Sequence, residues 1–180
     1  MKNEIIAMIF SILGMAVNIV SFQMKNKRPL LVFQSIGNLL FLISFVFNGS
    51  GIAVILNVIY LIRNAIYMIT EGKTNEKTDK IYCIGLCFSF ALSYIVYTAF
   101  AGLPLIENLW NIAPVAASIF GTVATSYTDV NKYRMWKYGD SFCWLAFNAR
   151  FGIGTLGAVV GEVFNQISLT IGIIRYRKKK

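Results

Sequence analysis

Seven stretches of mostly apolar residues divide the chain, and they restrict its fold more than any other feature of the sequence. A helix needs about 20 such residues to cross the hydrocarbon core of a bilayer, within a range of roughly 17–25. The stretches are Ile5–Phe22, Leu30–Phe47, Ile52–Ile69, Ile81–Phe100, Trp110–Tyr127, Tyr138–Phe151 and Leu156–Ile174. The sixth is the shortest. The sequence therefore predicts an all-α polytopic membrane protein, with seven transmembrane helices in a single membrane domain, residues 1–180.

The composition excludes most soluble and enzymatic classes. Of the 180 residues, 57% are hydrophobic and 14% are charged, whereas soluble domains have about 45–50% apolar and about 25% charged residues. Histidine is absent, which removes the usual general base and the commonest metal ligand in proteins. We therefore expect no enzymatic activity, no metal site and no cofactor.

The positive charge of the chain lies in alternate loops. Lys25, Lys27 and Arg28 follow the first stretch, Lys132, Arg134 and Lys137 form a basic loop after the fifth, and further basic residues follow the third and seventh stretches. The intervening loops contain no Lys or Arg. Because basic loops stay in the cytoplasm, we predict an outside N-terminus and a cytoplasmic C-terminus. This distribution accounts for the net charge of +9 without a nucleic-acid partner.

The layout of spans and loops repeats with an offset of 108 residues, which sets Asn57 against Asn165. Each unit has three spans, with a basic loop after the first span and a basic end after the third. One span between the units keeps the two units parallel across the membrane, which is an arrangement found in transporters. The predicted first repeat, linker helix with loops, and second repeat are residues 1–72, 73–108 and 109–180.

The asparagine in the last span of each unit, Asn57 and Asn165, is similar to a feature of the SWEET sugar transporters and their half-sized bacterial relatives. This resemblance implies that the pair faces a sugar-like solute. The sequence departs from the SWEET pattern at its prolines, because Pro114 has Ile6 opposite it at the repeat offset.

A closer resemblance is to the YgjV family of bacterial inner-membrane proteins. It rests on Ile55-Leu-Asn57 with Arg63, on Pro114 followed by Gly121, on Asn148 with Gly157 and Glu162, and on the closing Ile173-Ile-Arg-Tyr-Arg177. The resemblance extends over most of the chain. It implies a multi-pass protein of the bacterial inner (plasma) membrane.

Polar side chains inside the spans are costly in lipid, so they mark candidate binding or packing positions. Amide groups can exchange hydrogen bonds with a neutral polyhydroxylated solute, and an indole suits the apolar face of a sugar or nucleoside ring. The six candidate substrate-binding residues are Asn38, Asn57, Tyr60, Trp144, Asn148 and Asn165. The alternative is that these side chains hydrogen-bond between helices and bind nothing.

Two charged residues near the last outer loop are candidates for a gate or a coupling site. Arg150 lies at the outer end of the sixth stretch, and Glu162 lies about two turns into the seventh. We expect an Arg150–Glu162 ion pair that clamps this loop, and the alternative is that Glu162 is a protonatable coupling residue. Arg63 and Asp140 form a second, weaker candidate pair on the cytoplasmic side.

The sequence favours a secondary transporter or facilitator of a sugar-like or nucleoside- or vitamin-like solute, working by alternating access around a midplane site. A membrane scaffold or subunit that transports nothing is the alternative. The expected partners are a small polar solute and the lipid bilayer. The sequence leaves open whether copies of the chain form a homo-oligomer.

Overall fold

The computed structural model describes residues 2–150 and 155–176, except the side chain of residue 76, and its regular elements there are helices. They are α1 (Lys2–Ser21), α2 (Lys27–Phe47), α3 (Gly51–Thr70), α4 (Glu76–Ala101), α5 (Leu105–Trp110), α6 (Ile112–Ser126), α7 (Val130–Asn148) and α8 (Leu156–Arg175). The predicted all-α class is confirmed. Phe151, at the end of the sixth predicted stretch, the following residues 152–154 and the basic tail 177–180 lie outside the described residues.

Six segments of the described chain are long and apolar enough to cross a membrane. They correspond to α1, α2, α3, α4, α5 together with α6, and α8. Helix α7 has 19 residues, about 28 Å at 1.5 Å per residue, but it contains Lys132, Arg134, Lys137 and Asp140. It begins at Val130, eight residues before the predicted stretch, because these charged residues conceal the first half of the helix from a search for apolar runs.

The predicted fifth span, Trp110–Tyr127, covers α6 and the last residue of α5, and these two helices are joined at a buried residue. Helix α5 begins after Pro104, and α6 begins after Asn111, which is 2% exposed. Pro114 lies in the first turn of α6, where its missing N–H removes no bond within the helix. The two helices together still provide a membrane-crossing length, Leu105–Ser126.

Six of the helices form a closed ring. Contacts join α1 to α2, α2 to α3, α3 to α6, α6 to α7, α7 to α8, and α8 back to α1. The last contact depends on glycine, because a Cβ atom at Gly161 would lie 2.8 Å from Cγ of Met15. Small residues of this kind allow close approach of membrane helices.

Helix α4 lies outside the ring and contacts α3 and α6. Most of its large apolar side chains face outward, with Ile84 70% exposed and Phe100 87% exposed, whereas Phe90 packs into the core. Such extensive apolar exposure is incompatible with water and is suited to a lipid environment. The helix that sequence analysis predicted as a linker is thus peripheral.

The basic segments gather at one end of the bundle, which we call the basic end. There Asn131 Nδ2 at the start of α7 donates to the carbonyl of Tyr176 after α8, at 2.9 Å. Tyr176 Oη donates in turn to the carbonyl of Gln23 after α1, at 3.1 Å. These contacts bring the α1–α2 loop, the start of α7 and the end of α8 together.

Candidate functional site

A small polar cavity lies inside the ring. The space open to the centre of a water molecule is about 40 Å³, which holds a few waters. The lining residues come from α1, α2, α3, α7 and α8 and are Asn18, Asn38, Phe41, Phe45, Asn57, Tyr60, Lys137, Trp144, Asn148 and Glu162. Six of the eight residues proposed from the sequence therefore meet here, while Asn165 and Arg150 are not in the lining.

Amide side chains reach the cavity from several helices. Asn57 is 3% exposed, and its Nδ2 donates to the carbonyl of Ala53, one turn earlier in α3, at 2.8 Å. Asn148 is 1% exposed, and its Oδ1 makes no hydrogen bond within the described part of the chain. Asn38 is partly buried on α2. An unused acceptor at a cavity wall is a place where water or a solute can donate a hydrogen bond.

Aromatic rings form the apolar wall of the cavity. The Trp144 ring is stacked on Phe45, with 5.6 Å between the ring centroids, and lies edge-on to Phe147 at 5.8 Å. Tyr60 lies 6.4 Å from Trp144, tilted by 39°. These separations are within the range of favourable aromatic pairs. Trp144 is therefore fixed in a cluster of rings with its accessible part toward the cavity rather than toward lipid.

A charged cluster, which we define as Tyr60, Arg63, Lys137 and Asp140, lies on the side of the cavity nearer the basic end. Tyr60 Oη donates to Asp140 Oδ1 at 2.8 Å, and Lys137 Nζ forms an ion pair with Asp140 Oδ2. Arg63 is fully buried, with its guanidinium 4.2 Å from the centroid of the Tyr60 ring. The cluster links α3 to α7 through charges that lipid could not solvate.

The cluster packs closely against a glycine on α6. A Cβ atom at Gly121 would lie 3.1 Å from Tyr60 Oη, 3.1 Å from Arg63 Nη1 and 3.2 Å from Asp140 Oδ1. Arg63 donates to Asn64 Oδ1 at 2.8 Å. The candidate pair of Arg63 and Asp140 thus lies in one cluster, although each side chain bonds to a different partner.

Glu162 bonds to neutral groups. Its Oε2 accepts from Ser141 Oγ at 2.6 Å and from Asn165 Nδ2 at 3.3 Å. The guanidinium of Arg150 lies 5.3 Å from the centroid of the Phe147 ring. The described residues accordingly show no Arg150–Glu162 ion pair, which corrects that expectation.

Asn165 occupies a different position from Asn57. It is 3% exposed and lies one turn beyond Glu162 on α8, so that Glu162, and not Asn165, lines the cavity. The two asparagines therefore do not face each other across the cavity. Asn165 instead contacts the carboxylate that does line it.

Four lining residues were not proposed from the sequence: Asn18, Phe41, Phe45 and Lys137. Asn18 is an isolated amide in the otherwise apolar second half of α1, and the cost of a polar group in lipid could have identified it. Lys137 was assigned to a basic loop, but it is 8% exposed and lies within α7. Phe41 and Phe45 have no sequence signal that separates them from other apolar residues of α2.

The bundle is closed at the basic end by a second buried arginine. Arg134 is 1% exposed, and its guanidinium donates to the carbonyls of Phe22 at 3.1 Å and Met24 at 2.9 Å and to Asn131 Oδ1 at 2.8 Å. It also lies 4.9 Å from the ring centroid of Tyr176. We call this set of contacts the Arg134 clamp. It joins α7 to the α1–α2 loop.

Apolar outward faces, several membrane-length helices and the burial of Arg63, Asp140 and Glu162 within the bundle define an integral, multi-pass helical membrane protein. The family model described as Imp-YgjV, bacterial inner membrane protein, matches residues 5–180. The chain belongs to this family, which confirms the resemblance seen in the sequence and places the protein in the bacterial inner membrane. Comparisons with curated proteins and with solved structures gave no match.

Proposed function

We propose that this protein is a secondary transporter or facilitator of a small, uncharged polar solute, of the sugar, nucleoside or vitamin type. The observation that supports this proposal is the cavity inside the ring, where amide and aromatic side chains from five helices converge. Polar groups that converge beside aromatic rings, which are four of the ten lining residues here, are a feature of small-molecule sites. The solute would bind during alternating opening of the two ends.

The proposal includes seven spans, arranged as two parallel three-helix units with one helix between them. Helices α1–α3 and α6–α8 pack in the same order, and the two sets meet at the α3–α6 and α8–α1 contacts. Arg134, Lys137 and Asp140 are at most 8% exposed, so that α7 could cross the membrane without presenting these charges to lipid. These features support a cavity located between two equivalent halves.

We propose further that the basic end is cytoplasmic. A cysteine in place of Asn48, in a variant without the three native cysteines, should react with a membrane-impermeant thiol reagent in intact cells. A cysteine in place of Lys73, which is exposed at the basic end, should react only after permeabilisation. The opposite pattern would reverse the orientation and leave the cavity unaffected.

In this proposal the residues have separate tasks. Asn57, Asn148 and Trp144 contact the solute, and the charged cluster closes the cavity toward the basic end. Glu162 is the coupling residue, because its carboxylate lines the cavity beside neutral partners. Arg150, beyond α7 at the opposite end, is the proposed gate residue.

A scaffold that transports nothing is the second candidate, and one observation favours it. The cavity of about 40 Å³ is small, and the Asn57 amide already bonds within its own helix. In a scaffold these amides would serve only helix packing.

One stability experiment separates the two candidates. The purified protein is screened by thermal shift against sugars, nucleosides and vitamins, because a compound that binds only the folded state raises the melting temperature. For a compound that does so, Asn148→Ala should weaken binding by about ten- to a hundred-fold, since it removes a hydrogen bond made only with the solute. Without ligand, the melting temperature should fall less than that of the control variant below, because Asn148 Oδ1 has no partner to lose among the described residues and only packing contacts of this buried side chain are removed on that side.

Asn165→Ala is the matched control, since Asn165 is equally buried but outside the lining. It should lower stability without ligand through its lost bond to Glu162 and affect binding less than Asn148→Ala. Absence of any stabilising compound, or equal effects of the two variants on binding, would favour the scaffold.

A further inference from the structure

A groove with both charged and apolar walls opens at the basic end, outside the ring. It lies between the start of α4 and the turn that joins α6 to α7, and its volume is about 570 Å³. We call it the interfacial groove. Its charged members are Lys80, Lys132 and Asp79, and its hydroxyl groups include Thr128. The central cavity shares no residue with it.

The polar part of the groove carries a net positive charge. Lys80 approaches from α4 and Lys132 from α7, and both side chains are exposed. Lys132 Nζ lies 5.7 Å from the centroid of the Tyr127 ring, which holds it at the groove. Asp79 is the one acidic residue of the lining, and its Oδ1 already accepts from Thr74 Oγ1 at 2.7 Å. The two lysines therefore exceed the carboxylate by one charge.

The apolar part of the groove continues along the outer face of α4. Ile84 is part of the lining and is 70% exposed, and Phe88, one turn further into the membrane, is 67% exposed. At the rim, Tyr127 stacks on Trp136 at 6.4 Å, as aromatic residues do at the level of lipid headgroups. The groove thus changes from cationic to apolar along the direction of a lipid molecule.

We infer that the interfacial groove is a binding site for an anionic phospholipid. Its phosphate lies between Lys80 and Lys132, and its acyl chains follow α4 past Ile84 and Phe88. Basic pockets between helices at the cytoplasmic surface have this ligand preference in other membrane proteins. A zwitterionic lipid gains less here, because its own cation would meet two lysines. The bound lipid would also fill the space between α4 and the α6–α7 turn, and so secure the peripheral helix to the ring.

The test uses the full chain in detergent micelles, with phosphatidylglycerol or phosphatidylcholine added. Bound lipid is counted by native mass spectrometry, and stability is followed by thermal shift. Phosphatidylglycerol should bind and stabilise more than phosphatidylcholine. The Lys80→Gln/Lys132→Gln variant should bind phosphatidylglycerol about thirty-fold more weakly, at about five-fold for each lysine near the surface.

The matched control is Lys25→Gln/Lys73→Gln, which removes the same charge from exposed positions at the basic end outside the groove. It should bind within about three-fold of the unaltered protein. A second variant, Thr128→Trp, fills the groove from an exposed position and keeps both lysines, and it should also reduce binding about tenfold. Both sets of changes lie at exposed side chains, so folding is retained.

Three results would overturn the inference. Equal losses in the two lysine variants would indicate diffuse attraction to an anionic surface. Equal binding of the two lipids would exclude selection of the anionic headgroup. Stabilisation by inorganic phosphate alone, to the same extent, would assign the site to a free anion. None of these results depends on whether the protein transports a solute.

Discussion

Replacement of Arg134 by alanine should destabilise the protein more than any surface change at the basic end. The change removes the donors to the carbonyls of Phe22 and Met24, and it removes the guanidinium that packs against Tyr176. Hydrogen bonds from a charged group contribute about 1.5–3 kcal/mol each. Water at the membrane surface can hydrate part of the two carbonyls that the change leaves without a donor. We therefore take the low end of this range for each bond, which gives a loss of about 3 kcal/mol in the free energy of unfolding.

This loss converts into a measurable change of melting temperature. A protein of this size loses about 2–4 °C per kcal/mol, so Arg134→Ala should melt about 6–12 °C lower in detergent. Arg134→Lys should melt at a temperature between those of the unaltered protein and Arg134→Ala, because an ammonium keeps the charge but cannot bond two carbonyls in the fork geometry of a guanidinium. The assay is a thermal shift at a fixed scan rate, with the same detergent and protein concentration for each variant.

Lys132→Ala is the control for the Arg134 clamp. Lys132 lies two residues earlier, carries the same charge and is exposed, so its loss should change the melting temperature by no more than about 2 °C. If Arg134→Ala and Lys132→Ala melt at the same temperature, the clamp does not hold the basic end together, and the argument from buried hydrogen bonds fails.

Two further predictions concern the packing of the interior. Gly172→Ala should lower the free energy of unfolding by about 1–3 kcal/mol, because its Cβ would lie 2.7 Å from Nε of Arg134. The control is Gly85→Ala, which has no neighbouring atom within 4 Å and should be neutral or stabilising by up to about 1 kcal/mol. Equal shifts of the two variants in thermal unfolding would contradict the described packing. Lys137→Met and Asp140→Asn should each cost about 3–5 kcal/mol by leaving one member of a buried ion pair without its partner. The double variant should cost clearly less than the sum, and additivity within about 0.5 kcal/mol would show that the two groups are independent.

The fold class and the general position of the site follow from the sequence, because the lipid bilayer sets the length of an apolar span and imposes a free-energy penalty on polar groups within it. That penalty identified Asn57, Tyr60 and Asn148, which all line the cavity. It did not identify the first half of α7, because charged residues that a helix buries against its neighbours resemble a loop when only the sequence is read. Lys137 was assigned to the wrong kind of segment for this reason.

The misplacement of Asn165 has a geometric cause. The first residues of α3 and α8, Gly51 and Leu156, are 105 positions apart, not 108. At that spacing Asn57 corresponds to Glu162, which is the residue of α8 that lines the cavity. Loop lengths differ between the two halves of the chain, so no single offset can align all of their helices. The expected ion pair of Arg150 with Glu162, which the described residues do not show, could likewise not be decided from the sequence, since it depends on the relative height of α7 and α8.

The two halves of the ring meet at two contacts, α3–α6 and α1–α8, which we call seams. The peripheral position of α4 reinforces one seam and not the other. At the α3–α6 seam a third helix touches both partners, and the chain itself connects them. Within the described residues no third helix braces the α1–α8 seam, which is held by glycine packing and by hydrogen bonds such as that of Ser168 Oγ to the carbonyl of Ile19 at 3.0 Å, with the Arg134 clamp nearby at the α1–α2 loop. If the halves rotate, the axis should therefore run along the braced seam, with the largest displacement on the opposite side. Helices α1 and α8 would then separate most, while α3 and α6 kept their spacing.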